Sequence, residues 1–131
     1  MADIPEEYRD LLVRPVVVSL GVTLPNGQLQ VLPIWCDYDG ARVRINTATT
    51  TARYQAWQTQ PQATVLAVDP DDPFRYLEIR GRVVAIETAG ADAHIDALSR
   101  KYLGVDTFPW HNPSVTRAIC SIQPERVITS G

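Results

Sequence analysis

The sequence predicts a mostly β protein, an antiparallel barrel with few helices. About six β-rich segments follow one another closely, separated by Gly, Pro, Asn and Asp clusters, and strands in such succession pair antiparallel. Only one long stretch carries the 3.6-residue period, so the helices needed as crossovers in a doubly wound parallel sheet are missing. With 131 residues, 45% of them hydrophobic and 21% charged, the chain is read as one domain, residues 1–131, burying about two-thirds of the surface its unfolded form exposes.

Pro5 to Leu12 can open as a short helix, with Tyr8, Leu11 and Leu12 on one side, lying across one end of the fold. Pro15 to Val22 is continuous and β-branched, Pro25-Asn26-Gly27 is a turn, and Gln28 to Tyr38 resumes extended, which makes a hairpin. Pro33 within its second strand implies an edge or a break in the ladder, because proline has no N–H to donate. Asp39-Gly40 turns the chain into Ala41 to Asn46, where Ala41, Val43 and Ile45 alternate with Arg42, Arg44 and Asn46, one face core and the other polar. A helix from about Thr51 to Thr59, roughly two and a half turns long, must stop before Pro61, which disfavours helical geometry in the residue ahead of it.

Gln62 to Asp69 reads as a strand, Asp69 to Pro73 as a loop, and Phe74 to Glu87 as a long strand. In the last of these Leu77, Ile79, Gly81, Val83 and Ala85 share a face, with Gly81 at a bulge or close approach. Gly90 to Leu103 is the strongest helix: Ala91, Ile95, Leu98 and Tyr102 form its apolar stripe, His94 falls on the polar side as a solvated residue, and Gly104 ends it. Thr107 to Pro113 is an aromatic and proline loop. Arg117 to Ile128 closes the chain as one strand, or as two broken at Pro124.

Several function classes lose support on composition. A net charge of -3 and a pI near 5.2 give no general attraction for nucleic acid or anionic membrane. The first fourteen residues lack the basic start and apolar run of a secretory signal, and no segment has the ~20 apolar residues of a membrane span, so a cytoplasmic location is the default expectation. Cys36 and Cys120 lie in apolar segments without C-x-x-C spacing and read as buried free thiols. His94 and His111 are too far apart for a metal pair, and no G-x-S-x-G elbow or paired carboxylates point to hydrolysis. No catalytic side chain and no metal ligand are assigned. Trp57, beside Ala56 on a helix, is a core residue, whereas Trp35 follows Pro33, where freed backbone groups can bind a ligand.

The chemistry concentrates in Asn46-Thr47-Ala48-Thr49-Thr50-Thr51-Ala52-Arg53. Four hydroxyls precede an arginine at a helix start, where exposed N–H groups and the helix dipole favour an anion. Arg42, Arg44 and Arg53 all fall between Gly40 and Val68, a window with no Asp or Glu. The plainer alternative is that the threonines only cap the helix. An anion cradle with aromatics and no evident nucleophile suits a cofactor that brings its own reactivity.

These residues resemble a family, the flavin- and deazaflavin-binding split barrels related to pyridoxamine 5'-phosphate oxidase, and within it the small actinobacterial deazaflavin-dependent reductases. The markers are Val31-Leu32-Pro33-Ile34-Trp35, Ile45-Asn46-Thr47 leading to Arg53, Gln60-Pro61, and Asp69-Pro70 followed by Phe74 to Arg82. Ala91 to Gly104 and Gln123-Pro124-Glu125-Arg126-Val127 complete the pattern. The resemblance implies a six-stranded antiparallel split β-barrel of the FMN-binding type, forming a homodimer with the cofactor at the subunit interface. It implies that Leu32, Pro33 and Ile34 present backbone to the ring system, that Asn46, Thr47 and Ala48 line the ring and ribityl chain, and that Thr51, Ala52 and Arg53 hold the phosphate. Tyr76 would reach the cofactor from the other subunit. The implied activity is hydride transfer between coenzyme F420 and a small conjugated organic substrate; FMN as the cofactor, or a non-catalytic carrier of either, are the alternatives. Arg53 stands where the family usually has Lys, Ala56 where it has Asn, and Gln58 and Thr59 where it has basic residues, which predicts weaker binding or a shifted cofactor preference.

Overall fold

The computed structural model describes residues 2–131. Strands β1 (Val18–Thr23), β2 (Leu29–Ile34), β3 (Asp37–Tyr38), β4 (Val43–Ala48), β5 (Gln62–Asp69), β6 (Asp72–Glu87) and β7 (Arg117–Ser130) form one sheet in the order β2-β1-β5-β6-β7-β4-β3. All its pairings are antiparallel. Helices α1 (Asp10–Val13), α2 (Ala52–Trp57) and α3 (Ala91–Leu103) accompany it, with a 3-10 turn at Glu6–Tyr8.

The order of strands explains why the barrel is split. β2 and β3 stand at opposite edges of the sheet, yet only Trp35 and Cys36 separate them in the chain. The sheet must therefore curl until its edges nearly meet, and covalent chain rather than a hydrogen-bonded ladder closes the gap. Side chains of α3 hold that crossing: the Tyr102 hydroxyl accepts from Cys36 N at 3.2 Å and donates to the Val16 carbonyl at 2.8 Å. Lys101 Nζ donates to the carbonyls of Leu12 and Cys36, both at 2.6 Å.

Seven strands replace the six expected, because the stretch from Gln28 to Tyr38 is two strands rather than one. Its last two residues, Asp37 and Tyr38, leave β1 behind and pair with Arg44 and Val43 across the Asp39-Gly40 turn. Pro33 sits on the edge strand, opposite Ser19, where a residue without an N–H is tolerated.

β6 and β7 form the spine, and two bulges bend it. Glu125 is skipped as the register passes from Arg80 opposite Arg126 to Gly81 opposite Pro124, and Val84 is skipped between Val83 and Ala85. β7 is one strand, continuous through Pro124. Gly81 is required by space alone: a Cβ there would strike the Gln123 carbonyl oxygen and lie 3.0 Å from its carbon.

The core fills the inside of the curl with Val18, Leu20, Val43, Ile45, Val65, Leu77, Ile79 and Ile122, all essentially inaccessible, and Leu11, Leu12 and Trp57 close its ends. Trp57 is the core residue expected, its Nε1 donating to the Gln62 carbonyl at 3.2 Å. Cys36 and Cys120 are buried free thiols. α2 is six residues, shorter than the span from Thr51 to Thr59. Its last turn tightens as Gln60 N and Thr59 N both donate to the Ala56 carbonyl, and Pro61 has no N–H with which to continue.

Candidate functional site

The Thr-rich turn folds around itself. Thr51 is the N-cap of α2 in extended conformation, and its hydroxyl accepts from Tyr54 N at 3.3 Å. The same oxygen lies 3.0 Å from the Ala48 carbonyl and 3.0 Å from the hydroxyl of Thr47, which is fully buried. Thr49 is tied through its N–H to the Thr116 carbonyl at 2.9 Å and through its own carbonyl to Gln55 Nε2 at 3.1 Å. The Thr47 and Thr51 hydroxyls thus build a cap. What the turn offers outward is the first two N–H groups of the helix, those of Ala52 and Arg53, which have no intrahelical acceptor, and the Arg53 side chain.

Arg53 is half-buried and its Nε has no hydrogen-bond partner among the described residues. A buried guanidinium N–H without an acceptor is costly, so an anion placed there gains a partner the fold withholds. The acid-free window matters less as a charge reservoir than its composition implied. Arg44 is committed to Asp37 at 2.8 and 2.9 Å, and Arg42 Nε donates to Gln123 Oε1 at 3.3 Å.

A second cation arrives from elsewhere. Arg117, the first residue of β7, pairs with Ala48 at the end of β4 and so enters the same cavity. Its Nε donates to Asn46 Oδ1 at 2.7 Å, and its guanidinium lies 5.0 Å from the centre of the Phe108 ring. Burial holds the pKa of each arginine below its usual value, and the charge of Arg117 lowers that of Arg53 further. Among the described residues neither is ion-paired to a carboxylate. Two like charges share one cavity with no carboxylate nearer than the longer-range attraction of Asp92 for Arg117, an arrangement that favours an anion.

Aromatic rings wall this cavity. Trp35 stacks on Tyr102 at 5.2 Å, Phe108 meets the Trp35 edge at 6.4 Å, and the exposed Trp110 meets Phe108 at 5.5 Å. The volume is about 220 Å³. That is below the roughly 300–1,000 Å³ of a site enclosing a whole small ligand, so it has room for a phosphate-sized group and a few adjoining atoms. A larger hollow, about 390 Å³, lies outside the sheet between Gly21, Val31, Leu66, Val68 and Tyr76. The charged residue lining it is Glu78, so it repels the group the smaller cavity attracts.

Of the residues expected at a site, Ile34, Asn46 and Arg53 line the arginine cavity. Thr47, Ala48 and Thr51 form the turn beneath it, and Ala52 lies exposed beside Arg53. Leu32 packs partly against the core, and Pro33 is exposed on the edge strand. Tyr76 stands in the other hollow of the same chain. Phe108 belongs to the aromatic and proline loop, Thr107 to Pro113, that the sequence marks, whereas Arg117 has no local signal, since what places it is the β4–β7 pairing.

One expectation is overturned. His94 is not a solvated surface residue: it is buried between α3 and β4, with Nε2 3.1 Å from Asp37 Oδ2 and Nδ1 3.1 Å from Asn46 Nδ2. It lies three residues after Ala91 and one before Ile95, within the buried stripe itself. Asn46, assigned to a polar face, is buried for the same reason, because α3 covers that face of β4. Burial alone would raise the Asp37 pKa, but hydrogen bonds from His94 and Arg44 prevail and hold it down at about 2.

Comparison with known proteins places these observations in context. The sequence matches the family described as pyridoxamine 5'-phosphate oxidase over residues 4–131. Among solved structures, one described as an F420 reductase is 32% identical, with a TM-score of 0.86, covering 95% of this chain and 98% of that one. A conserved hypothetical protein from Mycobacterium tuberculosis is 19% identical with a TM-score of 0.74, over 99% of this chain and 88% of that one. A Burkholderia lata protein in complex with tetrahydrophenazine-1-carboxylic acid is 17% identical with a TM-score of 0.62, over 86% and 68%. The last two share the fold. No functionally curated protein matches the sequence. No helix among the described residues is long and apolar enough to cross a membrane.

Proposed function

We propose that this chain, which belongs to the pyridoxamine 5'-phosphate oxidase family, is an oxidoreductase that uses the deazaflavin coenzyme F420 with a small conjugated substrate. The observation that carries the reading is the cavity holding Arg53 and Arg117, with the Arg53 Nε unpartnered and aromatic rings beside it. The 32% identity to an F420 reductase over nearly the whole of both chains favours the deazaflavin. Bound there, the coenzyme supplies hydride transfer, and the chain supplies binding and orientation. Arg53, Arg117 and the N–H groups of Ala52 and Arg53 would hold the phosphate. Asn46, Ile34 and the backbone around Pro33 would lie along the remainder.

The proposed assembly is a homodimer joined through the outer face of the sheet. Val31 and Leu29 on β2 are 74% and 68% exposed and Phe74 on β6 is 79% exposed, beside the hollow that Tyr76 lines. Covering these residues with a second copy buries apolar surface that a monomer leaves in water, and brings Tyr76 of one copy toward the β2 edge of the other.

The family match supports FMN as the second reading, since pyridoxamine 5'-phosphate oxidases give the family its name. Binding isotherms for coenzyme F420 and for FMN on the same apo protein separate the two. Tighter F420 binding with hydride transfer to an enone, quinone or tetrapyrrole supports the first reading. Preference for FMN supports the second, tight F420 binding without turnover points to a carrier, and failure to bind either removes both oxidoreductase readings.

A further inference from the structure

Behind Arg117 runs a chain of hydrogen bonds that ends on the buried histidine. Arg117 Nε donates to Asn46 Oδ1 at 2.7 Å. The other end of that amide, Nδ2, donates to the Ala91 carbonyl at 2.8 Å and meets His94 Nδ1 at 3.1 Å. An arginine can only donate and a carbonyl can only accept, so these partners set the direction of the Asn46 amide and make His94 Nδ1 an acceptor. The imidazole proton then sits on Nε2, 3.1 Å from Asp37 Oδ2, and Asp37 is clamped from the other side by Arg44. Asn46 is 5% exposed and His94 6%, so water does not substitute freely for any of these partners.

We propose that His94 is a positioning residue for the anion site. By accepting from Asn46 Nδ2 it keeps the amide oxygen toward Arg117, so that Arg117 is held by its Nε while both terminal nitrogens remain available to an anion. The inference rests on the reading of this cavity as the phosphate site. A reversed amide would set Asn46 Nδ2 against Arg117 Nε, donor against donor, and displace the guanidinium. Asp37 acts one step further back, fixing the imidazole tautomer that lets Nδ1 accept. The network thereby ties α3, through His94, to three neighbouring strands of the sheet: β3 through Asp37, and the β4–β7 pair through Asn46 and Arg117.

The test separates the two ends of the ring. In His94→Asn the side-chain oxygen takes the place of Nδ1 and still accepts from Asn46, whereas His94→Gln keeps a donor toward Asp37 and gives up that acceptor. In NMR spectra of the wild-type chain, His94 is expected as the Nε2–H tautomer and Arg117 Nε–H as a slowly exchanging signal. That signal persists in His94→Asn and is lost in His94→Gln. Affinities for coenzyme F420, FMN and inorganic phosphate fall about fivefold in His94→Gln and no more than about twofold in His94→Asn. The His94→Gln loss vanishes in an Arg117→Ala background, because the two residues act through one contact. A Nδ1–H tautomer, an unchanged Arg117 signal in His94→Gln, or an affinity loss that persists without Arg117 overturns the proposal. A lost Arg117 signal with ligand affinities that Arg117→Ala does not move upholds the hydrogen-bond chain and overturns the reading of the cavity.

Discussion

Arg53 and Arg117 enter one cavity from different elements, the first turn of α2 and the first residue of β7, and among the described residues neither is ion-paired with a carboxylate. Arginines without such partners are ordinarily solvated, but these two are half-buried, and burial lowers the pKa of each. Holding them together costs free energy in the empty protein, and an anion offsets that cost when it binds.

Arg53→Ala and Arg117→Ala are accordingly expected to weaken coenzyme binding by about 1.5–3 kcal/mol each, roughly ten- to a hundred-fold, with little loss of folding stability. Fluorescence titration and thermal melting on the same samples check this. Unchanged affinity in both variants would remove the cavity from consideration as the phosphate site.

The Thr51 hydroxyl has a defined structural partner in Tyr54 N. Thr51→Ala should therefore cost about 1 kcal/mol of stability, the usual worth of an N-cap. Urea denaturation measures the loss, and a variant as stable as the parent would mean that the cap contributes nothing.

Acid should destabilise the protein through Asp37. Its pKa is about 2 in the folded chain against an ordinary 3.8, so its stabilisation is complete above about pH 4 and is lost as pH falls from there toward 2. The contribution is on the order of 2 kcal/mol. Asp10, held below its usual value chiefly by its hydrogen bond from Arg75, is lost in the same direction. Melting temperatures of wild type and Asp37→Asn are expected to differ at neutral pH and to converge near pH 2; a constant difference at every pH would contradict the assignment.

Gly81→Ala should destabilise by at least about 2 kcal/mol, because the added methyl meets backbone of β7 that cannot move without opening the spine. A shift in urea midpoint reads the loss. Less than about 0.5 kcal/mol would mean that the bulge yields easily.

Val31→Arg places a charge on an exposed apolar residue of the outer face. If that face joins two subunits, the variant sediments as a monomer and loses coenzyme affinity while its melting curve remains cooperative. A dimer that survives the charge would place the interface elsewhere.

The alternation of apolar residues with turn clusters was enough to read most of the strands, because each strand of a curled sheet buries one face. Pro33 marked an edge and Gly81 a close approach for equally local reasons, a missing N–H and a missing Cβ. The short β3 was not legible: its two residues continue the extended run of β2 and differ only in which partner they pair with. The end of α2 at Trp57 is not legible either, since the polar turn that follows carries no signal of where the hydrogen-bond pattern tightens.

At the site, Arg53 was legible because a helix start, a cap and an acid-free window occur within a few residues of one another. His94 is not legible as interior when the apolar stripe is drawn through Ala91, Ile95, Leu98 and Tyr102, although position 94 lies on the same buried face. A polar residue on a buried face looks like surface until its partners are known, and Asp37 and Asn46 are far away in sequence.

The sequence by itself determined the strand-rich architecture, the turns, the core faces and the cation at the start of α2, all of which follow from local propensity and period. Only the tertiary structure decided that Arg117 joins Arg53, that Asn46 and His94 are interior, and that the threonine hydroxyls cap the helix. Those outcomes depend on which strands become neighbours when the sheet curls, and that choice is made by the burial of the whole core rather than by any segment of the chain.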